Sequence, residues 1–456
     1  MSAAEFRSGR DIQGTEEQRS PLPSTQQRLL ASTLACQLAN GRWTSEEVLR
    51  KIQNYLPKKL QSNAAPLANG LISRFPQKFA PDADRLVDVL LETPAMLELY
   101  RHRTKLGSWP THSLKPTRMQ PIPPFDRLNV PALHTIAELA DWLMLTPELL
   151  DTYVDKNSWR EAHPLPGVNN YFYRLSPKSG GGLRLIEAPK PRAKAFQRLI
   201  LRRILVQVPS HPDSFGFVPG RDCKGAAQRH AGEDVVIGFD LKNFFSSVQY
   251  GRVYALFRHL GYPASVAHSL SGLCTVITPS RIRTRLPFDQ RQTLMEPHLP
   301  QGAPSSPALA NLVTYRLDRR LAGLARSIGA NYTRYADDLT FSGDREARQA
   351  LLTAVPQIIE EEGFKLNATK TRVMTRHQRQ VVTGIVVNEA LNIPRKEYDR
   401  LKTVIHQKKW KDDPPALARL RGRIGWVAQL NRRKGEKLFS LLERARVETQ
   451  PTVGSS

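Results

Sequence analysis

The chain has 456 residues, with 67 Lys and Arg against 42 Asp and Glu, and so carries a net charge of +25. That length accommodates two or three domains with well-buried cores, and the basic excess points to a polyanionic partner such as nucleic acid. No apolar signal core occupies the first thirty residues and no run approaches a membrane span, so a soluble, cytoplasmic protein without a membrane partner is expected. Cys36, Cys223 and Cys274 are too scattered, and too far from any His at ligand spacing, for a disulfide framework or a zinc site.

Residues 1–25 mix Ser, Gln, Pro, Glu and Arg with little to bury and read as a disordered tail. A helical pattern follows: Thr44 and Glu47 form a capping box ahead of Val48, Leu49 and Ile52, and Asp82 opens a run holding Leu86, Val89, Leu90 and Leu91. Pro110, Pro116, Pro121, Pro123 and Pro124, among basic residues, make 105–129 a linker or a strap. Thr135 and Glu138 repeat the capping box before Leu139, Trp142 and Leu143, and Thr146-Pro147-Glu148 starts another helix.

Strand-like runs at 171–175, 183–188, 235–240 and 332–341 then alternate with helical runs at 193–207, 304–324 and 346–362, which predicts an α+β or α/β body. A strand at 381–387 leads into basic helices carrying Lys402, Lys408, Lys409, Lys411, Arg419, Arg421, Arg423, Arg432 and Arg433, with Trp410 and Trp426 among them. A charge run is usually just a solvated face, but basic residues with aromatics also suit a duplex backbone.

The acidic residues supply the chemistry. Val235 to Phe239 form an apolar strand core ending at Asp240, which sets a carboxylate at a strand terminus. Tyr335-Ala336-Asp337-Asp338 reads as a tight link between two strands, with Asp337 and Asp338 at the tip. Nucleotide transfer uses two divalent cations about 3.5–4 Å apart and needs converging carboxylates to hold them. A lone Asp-Asp pair is more often turn chemistry, and Asp240 alone is no stronger. The order of the pieces carries the argument.

In that order the chain resembles the reverse transcriptase family, and within it the bacterial retron type, over roughly 133–441. Phe239-Asp240-Leu241-Lys242-Asn243-Phe244-Phe245 is similar to the family's first catalytic motif, and Leu299-Pro300-Gln301-Gly302-Ala303-Pro304-Ser305-Ser306-Pro307 to its template and nucleotide-pocket motif. Tyr335 to Asp338 resembles the signature turn, and Gly363-Phe364-Lys365-Leu366-Asn367 with Lys370 the motif that follows. The resemblance implies that Asp240, Asp337 and Asp338, with the Leu241 backbone, bind Mg2+ or Mn2+. It implies that Lys178 and Arg184 of a fingers hairpin hold the incoming triphosphate, that Phe245 is a steric gate against a 2′ hydroxyl, and that Gln301-Gly302 approaches the base pair. Lys370 would protonate or neutralise the leaving pyrophosphate.

Two features resemble retron enzymes in particular. Ala226-Ala227-Gln228-Arg229-His230 is similar to their Asn-Ala-x-x-His element, with Ala226 in place of Asn, and Val382-Thr383-Gly384 matches their Val-Thr-Gly triplet. Phe215-Gly216-Phe217-Val218-Pro219-Gly220-Arg221 is also typical. His230, Thr383, Gly384, Lys408, Lys409 and Trp426 are the expected RNA contacts, although His230 reads equally as a satisfied structural histidine.

The implied fold is α+β: a right-hand polymerase with fingers and palm over 129–392, a basic helical thumb over 393–446, a helical extension with linker over 26–128, and tails at 1–25 and 447–456. The implied activity is RNA-directed DNA synthesis from deoxynucleoside triphosphates. A cognate structured noncoding RNA would be both template and primer, through a 2′ hydroxyl, and the product a branched RNA-DNA hybrid. The resemblance further implies antiphage defence with a separate effector protein and a host RNase H that trims the template, since the residues after Gly384 suffice for a thumb alone. The rivals are another bacterial defence or group II intron-like reverse transcriptase, an RNA-directed RNA polymerase, and a noncatalytic RNA-binding scaffold.

Overall fold

The computed structural model describes residues 25–39, 43–56, 58–76, 81, 83–103, 118–123, 125–154, 170–177 and 181–447. The chain divides into two compact units, Met1–Thr117 and Arg118–Ser456.

The first unit is helical, with helices Thr25–Leu38, Ser45–Tyr55, Ala64–Arg74, Ala83–Glu92 and Pro94–Arg103. Its core is built from residues at helical spacing, among them Leu34, Val48, Ile52, Leu67, Leu71, Leu86, Leu90 and Leu99. The capping box forms as read, with the Glu47 amide donating to Thr44 Oγ1. Trp43 closes the unit's loop by donating its indole N–H to the Phe75 carbonyl at 2.9 Å. Asp82 lies outside the described residues.

The second unit is α+β. Residues 118–122, expected within a linker or a strap, run along Gly261 and His259: the Gln120 amide donates to the Gly261 carbonyl at 2.8 Å. Strands β1 (Tyr171–Pro177) and β2 (Leu183–Pro189) make an antiparallel ribbon that stands apart from the main sheet. Strands β3 (Val235–Asp240), β4 (Asn331–Tyr335), β5 (Asp338–Gly343) and β6 (Arg372–Thr375) form a four-stranded antiparallel sheet in the order β4-β5-β3-β6. The near-continuous apolar run of β3 follows from its central place, where residues pack on both faces and Val235, Val236, Ile237 and Phe239 are all buried.

An isolated two-stranded ribbon is marginal in water, so β1 and β2 need support. It comes from 280–294, where Leu286, Leu294 and Ile282 cover the Tyr173, Leu175, Leu183 and Leu185 side of the ribbon. Its edge is tied to the loop after His298: the Glu187 amide donates to the Gln301 carbonyl at 2.8 Å, and the buried Glu187 carboxylate meets His298 Nε2 at 3.1 Å and the Thr278 hydroxyl at 2.7 Å.

Two expectations change. The helical run 304–324 is two helices, Ser306–Val313 and Tyr315–Ser327, broken at Thr314, whose hydroxyl bonds back to the Ala310 carbonyl. The single strand expected over 381–387 is a hairpin of β7 (Val381–Val382) and β8 (Ile385–Val386), turned by Thr383 at φ 49° and Gly384 at φ 85°. Two successive positive φ values are the geometry of a tight hairpin turn. Beyond it, helices Arg395–Gln407, Pro414–Leu430 and Arg432–Val447 pack Leu401, Ile405, Ile424, Val427, Leu438 and Leu442 into one core shared with Val382 and Ile385.

Candidate active site

The three carboxylates converge at one end of the main sheet. Asp240 is the last residue of β3 and stands directly opposite Asp338, the first residue of β5. Residues so paired have Cβ atoms about 4.5–5.5 Å apart, and like charges there repel. The β4-β5 connection is the two residues Ala336 and Asp337, closed by the Tyr335–Asp338 pair. Ala336 adopts φ 57°, a conformation that costs a non-glycine residue about 1–3 kcal/mol and persists only where its surroundings impose it.

Those surroundings centre on Arg334, which is fully buried. Its guanidinium forms a fork with both oxygens of the equally buried Asp318 at 2.7 Å, and donates to Asn311 Oδ1 at 2.9 Å, Ser214 Oγ at 3.0 Å and the Ala336 carbonyl at 3.0 Å. All five N–H groups are thereby used. Burial opposes its charge, but Asp318 outweighs that and holds the guanidinium protonated. The turn that presents Asp337 is thus anchored from beneath by a neutral-sum ion pair. Nothing in the sequence marks Arg334 or Asp318, since each reads as an ordinary charge; an Arg in an otherwise inward-facing strand register was the one available signal.

Electrostatically the negative charge at the site outweighs the positive charge of Lys370 and the nearby arginines. Loss of solvation, then the Asp337 and Asp240 charges, raise the Asp338 carboxyl to about 6. Asp337 is raised by the same loss of solvation and by Asp240, against the pull of Lys370 and Arg184. Lys370 Nζ sits 2.7 Å from Asp240 Oδ1, and this bond raises the lysine's own pKa. Asn367, to which no role was given, donates its side-chain amide to Asp240 Oδ2 at 3.0 Å. Among the described residues no group of three or more Asp, Glu, His or Cys side chains is already gathered as a metal site, the three carboxylates included. An open arrangement of hard oxygen donors with mutual repulsion suits a magnesium ion that retains waters and phosphate ligands.

An open recess of about 330 Å³ is lined by Lys194, Phe217, Phe245, Gly302 and the Ala303-Pro304 and Ser306-Pro307 pairs, with none of the three carboxylates in its wall. Phe245 is half-buried, with its ring centroid 5.5 Å from that of Phe244. Gly302, at φ 128°, approaches β2 closely: a Cβ there would stand 3.2 Å from the Ile186 side chain and 3.3 Å from the Glu187 carbonyl. Gln301 is bound to the same strand through its carbonyl. Arg184 projects from β2 into solvent, near enough for its charge to act on Asp337. Lys178 lies outside the described residues.

The expected RNA contacts fare differently. His230 is corrected: its side chain is wholly buried, with Nδ1 2.7 Å from Ser342 Oγ and Nε2 2.7 Å from Thr333 Oγ1. No edge of the ring is left for RNA, and desolvation pushes its pKa down to about 3. It is a core histidine that clamps β4 to β5. Trp410 is also core, 3% exposed, with its indole N–H donated to the Ile405 carbonyl, whereas Trp426 is half-buried against the same core. Lys409 is exposed and Lys408 is partly buried in a left-handed helix cap. Thr383 donates its hydroxyl to the Cys223 carbonyl at 3.2 Å, which joins the Val-Thr-Gly turn to the helix Cys223–Gln228 that contains Ala226. Ala226 is fully buried, so the position offers no polar group to a ligand.

Comparison with known proteins agrees with this geometry. The family described as reverse transcriptase (RNA-dependent DNA polymerase) matches residues 176–412, more than half of the chain. The Retron Mx65 reverse transcriptase of Myxococcus xanthus is 44% identical over 284 residues, which are 60% of this chain and 65% of that protein. The Retron Mx162 reverse transcriptase of the same organism is 35% identical, covering 63% of this chain and 64% of its own. The Retron Ec86 reverse transcriptase of Escherichia coli is 31% identical, covering 58% and 76%. The chain therefore spans a little under two thirds of the first two relatives. It belongs to the reverse transcriptase family, among the retron-type enzymes.

Proposed function

We propose that the chain is the RNA-directed DNA polymerase of a retron, with Asp240, Asp337 and Asp338 as its metal-binding carboxylates. The observation that carries this is the convergence of the three at adjacent strand ends beside a strained turn, where loss of solvation, then neighbouring carboxylates, raise the pKa values of Asp337 and Asp338. Such perturbation is the mark of a functional rather than a structural acid.

The residues divide the work as follows. Asp240, Asp337 and Asp338, with the Leu241 carbonyl, would hold Mg2+ or Mn2+, which supplies charge neutralisation and activation of the attacking hydroxyl. Arg184 and Lys178 would bind triphosphate oxygens by charge-assisted hydrogen bonds. Lys370, which offsets Asp240 here, would donate a proton to the departing pyrophosphate oxygen or, remaining charged, neutralise it. Phe245 would exclude a 2′ hydroxyl from the recess, and Gln301-Gly302, held close against β2, would let the backbone approach the nascent base pair. The strands and loops from 129 to 392 would act as fingers and palm, and the basic helices beyond, with Lys408, Lys409 and Trp426, as a thumb on the template-product duplex.

The relatives' names go no further than retron reverse transcriptase, and the finer substrate assignment rests on the resemblance of the motifs to retron enzymes. We infer a cognate structured RNA, priming from one of its 2′ hydroxyls, and a separate effector protein for antiphage defence, with a host RNase H removing the copied template. No helix among the described residues is long and apolar enough to cross a membrane. Nucleic acid copurified with the full chain should contain one discrete RNA joined to DNA through a 2′–5′ branch. Heterogeneous cellular RNA without DNA would overturn the retron reading, and primer extension that persists in Asp337→Asn would overturn the polymerase site itself.

A further inference from the structure

Phe217 has a conformation and a location that packing does not explain. It is a non-glycine residue at φ 62°, and its large apolar side chain is left 52% exposed. Residues held this way persist only where the surrounding chain over-determines them, and they gather at sites of function.

The chain on either side is held by hydrogen bonds. Before Phe217, the Arg334 amide donates to the Asp213 carbonyl and the Phe215 amide to the Arg334 carbonyl, both at 2.8 Å, so 213–215 runs beside β4. Asn311 Nδ2 donates to the Gly216 carbonyl at 2.8 Å. Gly216 itself presses on the catalytic turn: a Cβ there would lie 2.6 Å from the Ala336 amide nitrogen. After Phe217, Gly220 turns the chain at φ 75°, and the Arg221 guanidinium donates to the carbonyls of His211, Pro212 and Ser214 at 2.6, 3.1 and 2.7 Å. Both limbs of the loop are tied to each other and to the strand under the turn.

The result of this bracing is that the Phe217 ring stands between two site residues. Its centroid is 6.3 Å from that of Phe245 and 6.4 Å from that of Tyr335, and it lines the same recess as Phe245 and Gly302. Phe245 has Phe244 on one side, 5.5 Å away, and Phe217 on another.

We propose that Phe217 is a positioning residue for sugar selection, backing the Phe245 ring so that it holds its place against the 2′ hydroxyl of a ribonucleoside triphosphate. The proposal rests on the gate reading of Phe245. A gate discriminates by steric repulsion, and repulsion works only when the ring cannot swing away; a rigidly held neighbour supplies that resistance.

The test is single-nucleotide primer extension by the full chain, comparing kcat/KM for dGTP and GTP. Phe245→Ala sets the reference and should lower the dGTP/GTP preference. Phe217→Ala should lower that preference by about tenfold, the scale on which an apolar contact discriminates substrates, while kcat with dGTP changes by only a few-fold. Phe217→Tyr should restore the preference, and in the Phe245→Ala background Phe217→Ala should change it no further, as expected of residues acting through one another. Equal loss of dGTP and GTP use in Phe217→Ala would overturn the proposal and leave a purely structural role. If Phe245→Ala does not alter the preference, the gate reading fails and the proposal with it; if Phe245→Ala does and Phe217→Ala does not, only the proposal fails. Phe217→Leu, which keeps an apolar side chain in the loop, answers the same question should Phe217→Ala not fold.

Discussion

The main sheet holds two polar centres built on opposite logic. At the strand ends, Asp240 and Asp338 face each other across β3 and β5 with Asp337 beside them, and among the described residues Lys370 alone forms a direct ion pair with the group. Deeper in the sheet, His230 is as buried as any leucine, yet both ring nitrogens meet a hydroxyl at 2.7 Å. The first centre is left in need of a cation; the second needs nothing. A buried polar group that is fully partnered is architecture, whereas partly exposed carboxylates crowded together without matching positive charge point to chemistry. Arg334 belongs to the first kind although it lies beneath the site, because its pairing with Asp318 completes it and the turn above inherits the rigidity.

Breaking the partnered kind should cost most in stability. Arg334→Met leaves Asp318 buried and unpaired, which by comparison with other buried pairs destabilises by about 3–5 kcal/mol. Urea unfolding should show this as a lower midpoint, and synthesis should fall with it because the Ala336 carbonyl loses its anchor. A variant as stable as the parent would mean that Asp318 finds another partner.

His230 makes a pH prediction. Its folded pKa, about 3, lies below the usual 6.5, so the unfolded chain takes up the proton first as pH falls. The stability that comes from its neutral form is therefore complete above about pH 6.5 and lost progressively toward pH 3, at up to about 1.4 kcal/mol per pH unit. Replacing it by Gln should flatten that slope in urea titrations between pH 6.5 and 4.5; an unchanged slope would assign the pH dependence to other groups.

A smaller effect sharpens the contrast from the other side. The Asp338 carboxyl is raised to about 6, so whatever stability it lends is present in the protonated form and is lost as pH rises through about 6. A divalent cation needs the ionised form. Millimolar Mg2+ should raise the melting temperature by a few degrees at pH 7.5 and by less at pH 5.5; equal shifts at both would separate cation binding from these carboxylates.

Much of this was legible in the sequence where the signal is local. The apolar run of β3 ends at Asp240 as its residues foretold, Thr44 and Thr135 cap their helices as the two capping boxes predicted, and the Tyr335 to Asp338 turn is a two-residue hairpin link. What was not legible depends on partners distant along the chain. Arg334 and Asp318 look like surface charges until the fold joins them, His230 could be read either way, and Trp410 resembled a nucleic-acid contact until helix packing buried it. The hairpin at Thr383-Gly384 was missed because Thr is an unusual residue for a positive φ; its hydroxyl lies within hydrogen-bond reach of both the Val382 and the Cys223 carbonyls.

The most direct test of the central claim combines two measurements on one variant, Asp337→Asn. In metal-free buffer the substitution removes one of three crowded negative charges, so the melting temperature should hold or rise. In Mg2+ with a primed RNA template, synthesis should fall by at least about 10³-fold, equivalent to about 4 kcal/mol of transition-state stabilisation. A marked drop in melting temperature with activity lost in proportion would contradict the account, because it would make Asp337 one more structural residue of the turn.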